Sequence, residues 1–125
     1  MAELGNIKIS NEVVGIISGI AAMEIKGVHS MAGTFADGLT TILGKKNLSK
    51  GVKVEVGEKE CSIDANIRVE YGVRIPDVAV AVQQKILKAV TDMTGLKVVE
   101  VNVYVQDIHV PKEETEEKGT EIKLK

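Results

Sequence analysis

One glycine and one proline separate two different periodicities near the middle of this chain, and that junction limits the folds open to it. From Cys61 to Tyr71 the residues alternate. Cys61, Ile63, Ala65, Ile67, Val69 and Tyr71 fall on one side, and Ser62, Asp64, Asn66, Arg68 and Glu70 on the other, as in a strand with one buried and one wet face. After Gly72 and Pro76 the apolar residues Val78, Val82, Ile86, Ala89, Val90 and Met93 recur at helical spacing instead. Pro76 suits the first turn of that helix, where its missing N–H is not needed, and Gly95 supplies a left-handed cap at the other end.

The remaining elements are read in the same way. Asn6-Ile7-Lys8-Ile9 alternates as a short strand, and Ser10 is placed to cap a helix running from about Asn11 to Lys26, with Glu12 near its positive end. That helix is apolar on all sides, which predicts cover on both faces. Gly15 and Gly19 share one of its faces, and a glycine inside a helix costs about 1 kcal/mol relative to alanine, so a close backbone approach should compensate. The approaching backbone belongs either to the same domain or to a second subunit. Gly27 is expected to end the helix, with Val28 to Met31 as a short edge strand.

Gly33 to Lys50 is the least regular stretch and reads as a mobile excursion. Val52 to Val56, a turn over Gly57 to Glu60 and the long alternating strand then form a β-hairpin. The last strand, Lys97 to Val105, is expected to point Val99, Val101, Val103 and Val105 inward and Glu100, Asn102, Tyr104 and Gln106 outward. Its alternation slips between Val105 and Ile108, predicting a bulge or strand end near Gln106 and Asp107. In order the elements read β-α-β-β-α-β. The fold class is therefore α+β, a small antiparallel sheet with two helices on one face, in a single domain over residues 1–110. Residues 111–125 are too charged to bury anything and are expected to be a disordered tail.

Charge and composition exclude several functions. With 16 basic and 18 acidic residues the net charge is -2, which disfavours a general nucleic-acid or anionic-membrane surface. Only Phe35, Tyr71 and Tyr104 are aromatic, leaving little for single-stranded bases to stack upon. Cys61 is the sole cysteine; it rules out an intramolecular disulfide and fits a reducing compartment, with the cytoplasm as the default. The longest uncharged run, Val13 to Met23, is too short to cross a bilayer. The opening Met1-Ala2-Glu3-Leu4 does not read as a secretory signal.

Candidate chemistry is sparse. Gly38 to Lys46 has one residue too many between its glycines for a phosphate loop, and Lys46 stands where a magnesium-binding hydroxyl belongs. Lys45, Lys46, Lys50 and Lys53 read as a solvated basic loop, or as a contact for an acidic partner or lipid headgroups. His29 and His109 lie far apart in sequence, with no metal-ligand spacing to another candidate, so no metal site and no cofactor are expected. Cys61 alternates with core residues and reads as packing. Asp64, Glu70 and Glu100 are explained by cross-strand pairing with Arg68 and Lys53 more readily than by acid-base catalysis. The outward rows Asp64, Asn66, Arg68, Glu70 and Glu100, Asn102, Tyr104, Gln106 mix charge, amides and a phenol. That composition suits an interface, with a plain solvated face as the alternative.

Several blocks together resemble one family. Ile9-Ser10-Asn11-Glu12-Val13-Val14, Ala21 to Val28, Lys50 to Val54, Val69-Glu70-Tyr71-Gly72-Val73-Arg74-Ile75-Pro76 and Met93-Thr94-Gly95-Leu96 followed by Val98 to Val105 are similar to the bacterial alkaline-shock and cell-envelope stress-response family. The resemblance runs from about Gly5 to Val110. It implies a noncatalytic cytoplasmic general stress protein of Gram-positive bacteria. Such a protein can be held near the membrane by a partner. The two-sided apolar first helix, its glycine pair and the polar sheet face add the expectation of a homo-oligomeric scaffold that docks protein partners, a membrane-anchored one among them, without direct membrane insertion. A second implication, from some relatives, is regulation of fatty-acid synthesis at acetyl-CoA carboxylase. Candidate interface residues are Asp64, Asn66, Arg68, Glu70, Glu100, Asn102 and Tyr104 on the sheet, and Gly15 and Gly19 on the first helix.

Overall fold

A computed structural model describes residues 4–32 and 49–111. Six elements follow in order: α1 (Asn11–Met23), β1 (Val28–Met31), β2 (Val52–Val56), β3 (Glu60–Glu70), α2 (Ile75–Thr94) and β4 (Lys97–His109). Ser10 caps α1 as its position predicts, its Oγ accepting the Val13 N–H at 3.2 Å. The helix stops at Met23, short of Lys26, with Glu24 as its C-cap. Asn6 to Ile9 does not form a strand, whereas Val28–Met31, which the expected order left uncounted, does, so the order is α-β-β-β-α-β. Alternation over four residues needs a partner edge and a face to bury, and Ile7 has neither, being 94% exposed.

The sheet is built around β3. β2 pairs with its first half as an antiparallel hairpin, Val56 opposite Cys61 and Val52 opposite Ala65. β1 pairs antiparallel with its second half, Met31 opposite Ile67 and Val28 opposite Val69. β4 runs the full length of β3 from Glu60↔Lys97 to Glu70↔His109. It fills one edge, so β1 and β2 lie end to end along the other.

The β3–β4 pairing is parallel, which corrects the all-antiparallel expectation. α2 separates these two strands in the chain and carries it back to the starting end of β3, the crossover that parallel neighbours require. The sheet is therefore mixed, within the α+β class with both helices on one face.

Irregular pairings interrupt the ladders at two places in β4 and one in β1. Cys61 faces Val98 and Ser62 faces Glu100, leaving Val99 without an opposite; Ile67 faces Val105 and Arg68 faces Asp107, leaving Gln106 without one. The second is the slip that the sequence pattern predicts. The first was not foreseen, and it turns Val99 away from the core, where it is 50% exposed. In β1 the shift falls between Val28 and Ser30, making His29 the extra residue.

Cys61, Ile63, Ala65, Ile67 and Val69 are all buried beneath the helices. Val14, Ile17, Ala21 and Ala22 of α1 and Val78, Val82, Ile86 and Val90 of α2 complete the core. Burying each such side chain is worth about 1.5–3 kcal/mol, so this one layer holds the domain together. Lys85 of α2 and Glu24 after α1 pair at 3.3 Å where the helices meet.

Gly51 makes the junction between the two edge strands. The Asn66 N–H donates to the Gly51 carbonyl at 2.8 Å, and the Ala32 N–H donates to the Asn66 carbonyl at 2.8 Å, so one β3 residue holds both chain ends. Gly51 has φ +80, and a Cβ there would overlap the Ala32 carbonyl oxygen and lie 3.0 Å from that of Asn66. Only glycine fits both demands.

Candidate functional site

The helices cover one side of β3 and β4; the opposite side carries the polar rows. Strand alternation brings Asp64, Asn66, Arg68 and Glu70 of β3 beside Glu100, Asn102 and Tyr104 of β4, with Asn102 opposite Asp64 and Tyr104 opposite Asn66. The seven sheet residues singled out in the sequence therefore share one surface. Their side chains are cross-linked along its length. Asn102 Nδ2 donates to Asp64 Oδ1 at 2.9 Å and to Glu100 Oε2 at 3.2 Å. Gln106 Nε2 donates to Asn66 Oδ1 at 2.9 Å, and Asn66 Nδ2 to the Gly51 carbonyl at 3.1 Å. Arg68 donates from Nη1 to Ser30 Oγ at 3.3 Å and pairs through Nε with Asp107 Oδ2 at 3.5 Å. A shallow depression lined by Lys53, Glu55, Ser62, Asp64, Glu100, Asn102 and Tyr104 lies at the end of the face near the hairpin.

Gly15 and Gly19 do not join this surface. Both are buried within the single chain. A Cβ at Gly15 would stand 3.0 Å from Ser49 Cβ and 3.9 Å from Val54 Cγ2, so the close approach that offsets the cost of Gly15 comes from the same domain. Cys61 is also buried, and burial pushes its thiol pKa up, away from the thiolate a nucleophile needs. Lys45, Lys46 and the rest of residues 33–48 of the Gly33 to Lys50 stretch lie outside the described residues, as do residues 112–125 of the tail.

At the other end of the face the structure assembles a cluster that sequence spacing argued against. His29 of β1 and His109 of β4 stack across the end of β3, ring centroids 3.8 Å apart and planes 4° from parallel. Between them Glu70 accepts from both: His29 Nδ1 is 3.0 Å from Oε2, and His109 Nδ1 is 3.1 Å from Oε1. The His109 contact first and the His29 contact second hold the Glu70 carboxyl below the ordinary carboxylate range. The Gln106 bulge places His109. Without that extra residue Ile108 would stand opposite Glu70, and the imidazole would point to the other side of the sheet. The slip in alternation near Gln106 was the only trace of this in the sequence.

Chemically the face offers hydrogen-bond donors and acceptors, more carboxylates than cations and one half-exposed phenol. No described helix is long and apolar enough to cross a membrane. Comparison with known proteins supplies the family. The uncharacterized protein YqhY of Bacillus subtilis is 42% identical over 105 residues, which are 84% of this chain and 78% of that protein. The uncharacterized protein YloU of the same organism is 44% identical over 108 residues, 85% and 90% of the two chains. A Streptococcus pyogenes protein named as a stress response regulator gls24 homolog is 31% identical over 105 residues, 83% of this chain but 59% of that longer one. Among solved structures, a MamM-CTD variant matches with a TM-score of 0.48 and 14% identity, covering 77% of this chain and 95% of the other. The profile of the alkaline-shock protein 23 family, described as having a cell envelope-related function, matches residues 1–110, and the chain belongs to that family.

Proposed function

We propose that this protein is a noncatalytic stress-response component of the cytoplasm, acting at the cell envelope as a self-associating scaffold that docks protein partners. The observation that carries this reading is the polar β3–β4 face. It lies opposite both helices, and its side chains are fixed by mutual hydrogen bonds from Asp64 to Glu70. A surface whose side chains are already ordered loses less entropy on binding than one of free lysines and glutamates. Tyr104 and Arg68, residue types favoured at binding hot spots, stand half-exposed on it. Family membership supports the envelope setting, and the name of the streptococcal relative supports the stress-response setting.

The test is a crosslinked pull-down from a native lysate split into soluble and membrane fractions, comparing the wild-type chain with Arg68→Glu and Tyr104→Ala. Both variants should lose recovery of the same partner proteins while keeping native circular dichroism. Unchanged recovery by folded variants refutes docking through this face. Light scattering at micromolar concentration reads self-association, and a strictly monomeric species removes that part of the reading.

A further inference from the structure

The chain has only two histidines, eighty positions apart, and the fold sets them against each other over one carboxylate. His29, Glu70 and His109 come from three different strands. Each is half-exposed, and one ligand-capable atom of each lies within 4.8 Å of the other two. We propose that His29, Glu70 and His109 form a binding site for a divalent transition-metal ion of the zinc class, with further coordination positions open to solvent or a partner's side chain. This is independent of docking through Arg68 and Tyr104.

The donor set selects the ion. Two imidazole nitrogens and one carboxylate oxygen suit zinc, nickel, cobalt or copper, whereas magnesium and calcium take oxygen ligands. The spacing also fits. Bonds of about 2.0–2.2 Å set adjacent ligand atoms of a tetrahedral zinc about 3.3 Å apart, and each imidazole nitrogen here lies 3.0 or 3.1 Å from its own oxygen of Glu70. An ion replacing these two hydrogen bonds is met by both oxygens, or by one after a small turn of the carboxylate. The rings must move more. Parallel rings 3.8 Å apart cannot both hold one ion in their planes, so binding splays the stack, a rotation open to side chains that are 35% and 42% exposed. Local charge favours the cation. Glu70 is anionic, and Arg68, two residues before it on β3, is already paired with Asp107.

Zinc chloride titrated into the chelator-treated, untagged full chain tests the site, with calorimetry for affinity and imidazole proton NMR for location. One zinc per chain should bind, moving the ring resonances of both histidines, and magnesium should do neither. His29→Ala, His109→Ala and Glu70→Gln should each weaken binding about tenfold or more. Circular dichroism checks that the variants fold, and Glu70→Gln, which keeps both rings and the side-chain volume, is the most conservative of them. No zinc uptake at millimolar metal overturns the site. So does wild-type affinity in the double variant lacking both histidines, or in Glu70→Gln.

Discussion

Replacing Gly51 by alanine should cost far more than its half-buried, turn-like surroundings suggest. The φ of +80 is a left-handed conformation that costs an L-residue about 1–2 kcal/mol. The new methyl would also press on the carbonyl oxygens of Ala32 and Asn66. Neither oxygen can retreat without stretching the bonds that join β1 and β2 to β3, Ala32 N–H to Asn66 O and Asn66 N–H to Gly51 O. At about 1 kcal/mol for each weakened bond, the folded state loses about 3–4 kcal/mol. The stiffer unfolded chain returns about 0.4–1 kcal/mol of that. The net destabilisation is about 2–4 kcal/mol, a large part of the 5–15 kcal/mol typical of a domain. Urea unfolding followed by far-ultraviolet circular dichroism measures it, with Gly57→Ala as the control. Gly57 lies in the hairpin turn, and its Cβ would meet only Glu60 O at 3.4 Å, so that variant should stay within about 1 kcal/mol of wild type. If Gly51→Ala is as mild as Gly57→Ala, the reasoning that Gly51 joins the two edge strands is wrong.

Ser18 is fully buried in α1 with its hydroxyl unpartnered among the described residues. An unsatisfied buried polar group costs about 1–3 kcal/mol, so Ser18→Ala should leave the denaturation midpoint unchanged or raise it; a marked fall would mean that the hydroxyl has a partner. The depressed Glu70 carboxyl gives a signed pH effect. Its contribution is fully present above the unfolded glutamate value of about 4.3 and is lost as pH falls through the lower folded value. The stability gap between wild type and Glu70→Gln, read by denaturant midpoints, should therefore narrow from pH 5 towards pH 3, and a gap that stays constant over that range contradicts the paired carboxylate.

Local patterns wrote much of this fold openly. The alternation from Cys61 to Glu70 assigns every β3 side chain to its observed face, because a strand covered on one side has only two kinds of position. Pro76 and Gly95 mark the ends of α2 for reasons internal to a helix. Pairing partners are a different matter. Whether β4 meets β3 parallel or antiparallel depends on which end of the sheet α2 returns to, and no residue of β4 encodes that alone. The polar face was legible because it needs only alternation. The histidine cluster was not, since His29 and His109 meet only through the β1 shift, which left no trace in the sequence, together with the Gln106 bulge, which showed there as a slip in alternation and not as a pairing of histidines.

Because β1 and β2 occupy one edge of β3 in tandem, the chain leaves that edge at Ala32 and rejoins it at Gly51, next door along the same ladder. Asn66 is thus shared by both edge strands, and local opening there frees the end of β1 and the start of β2 together.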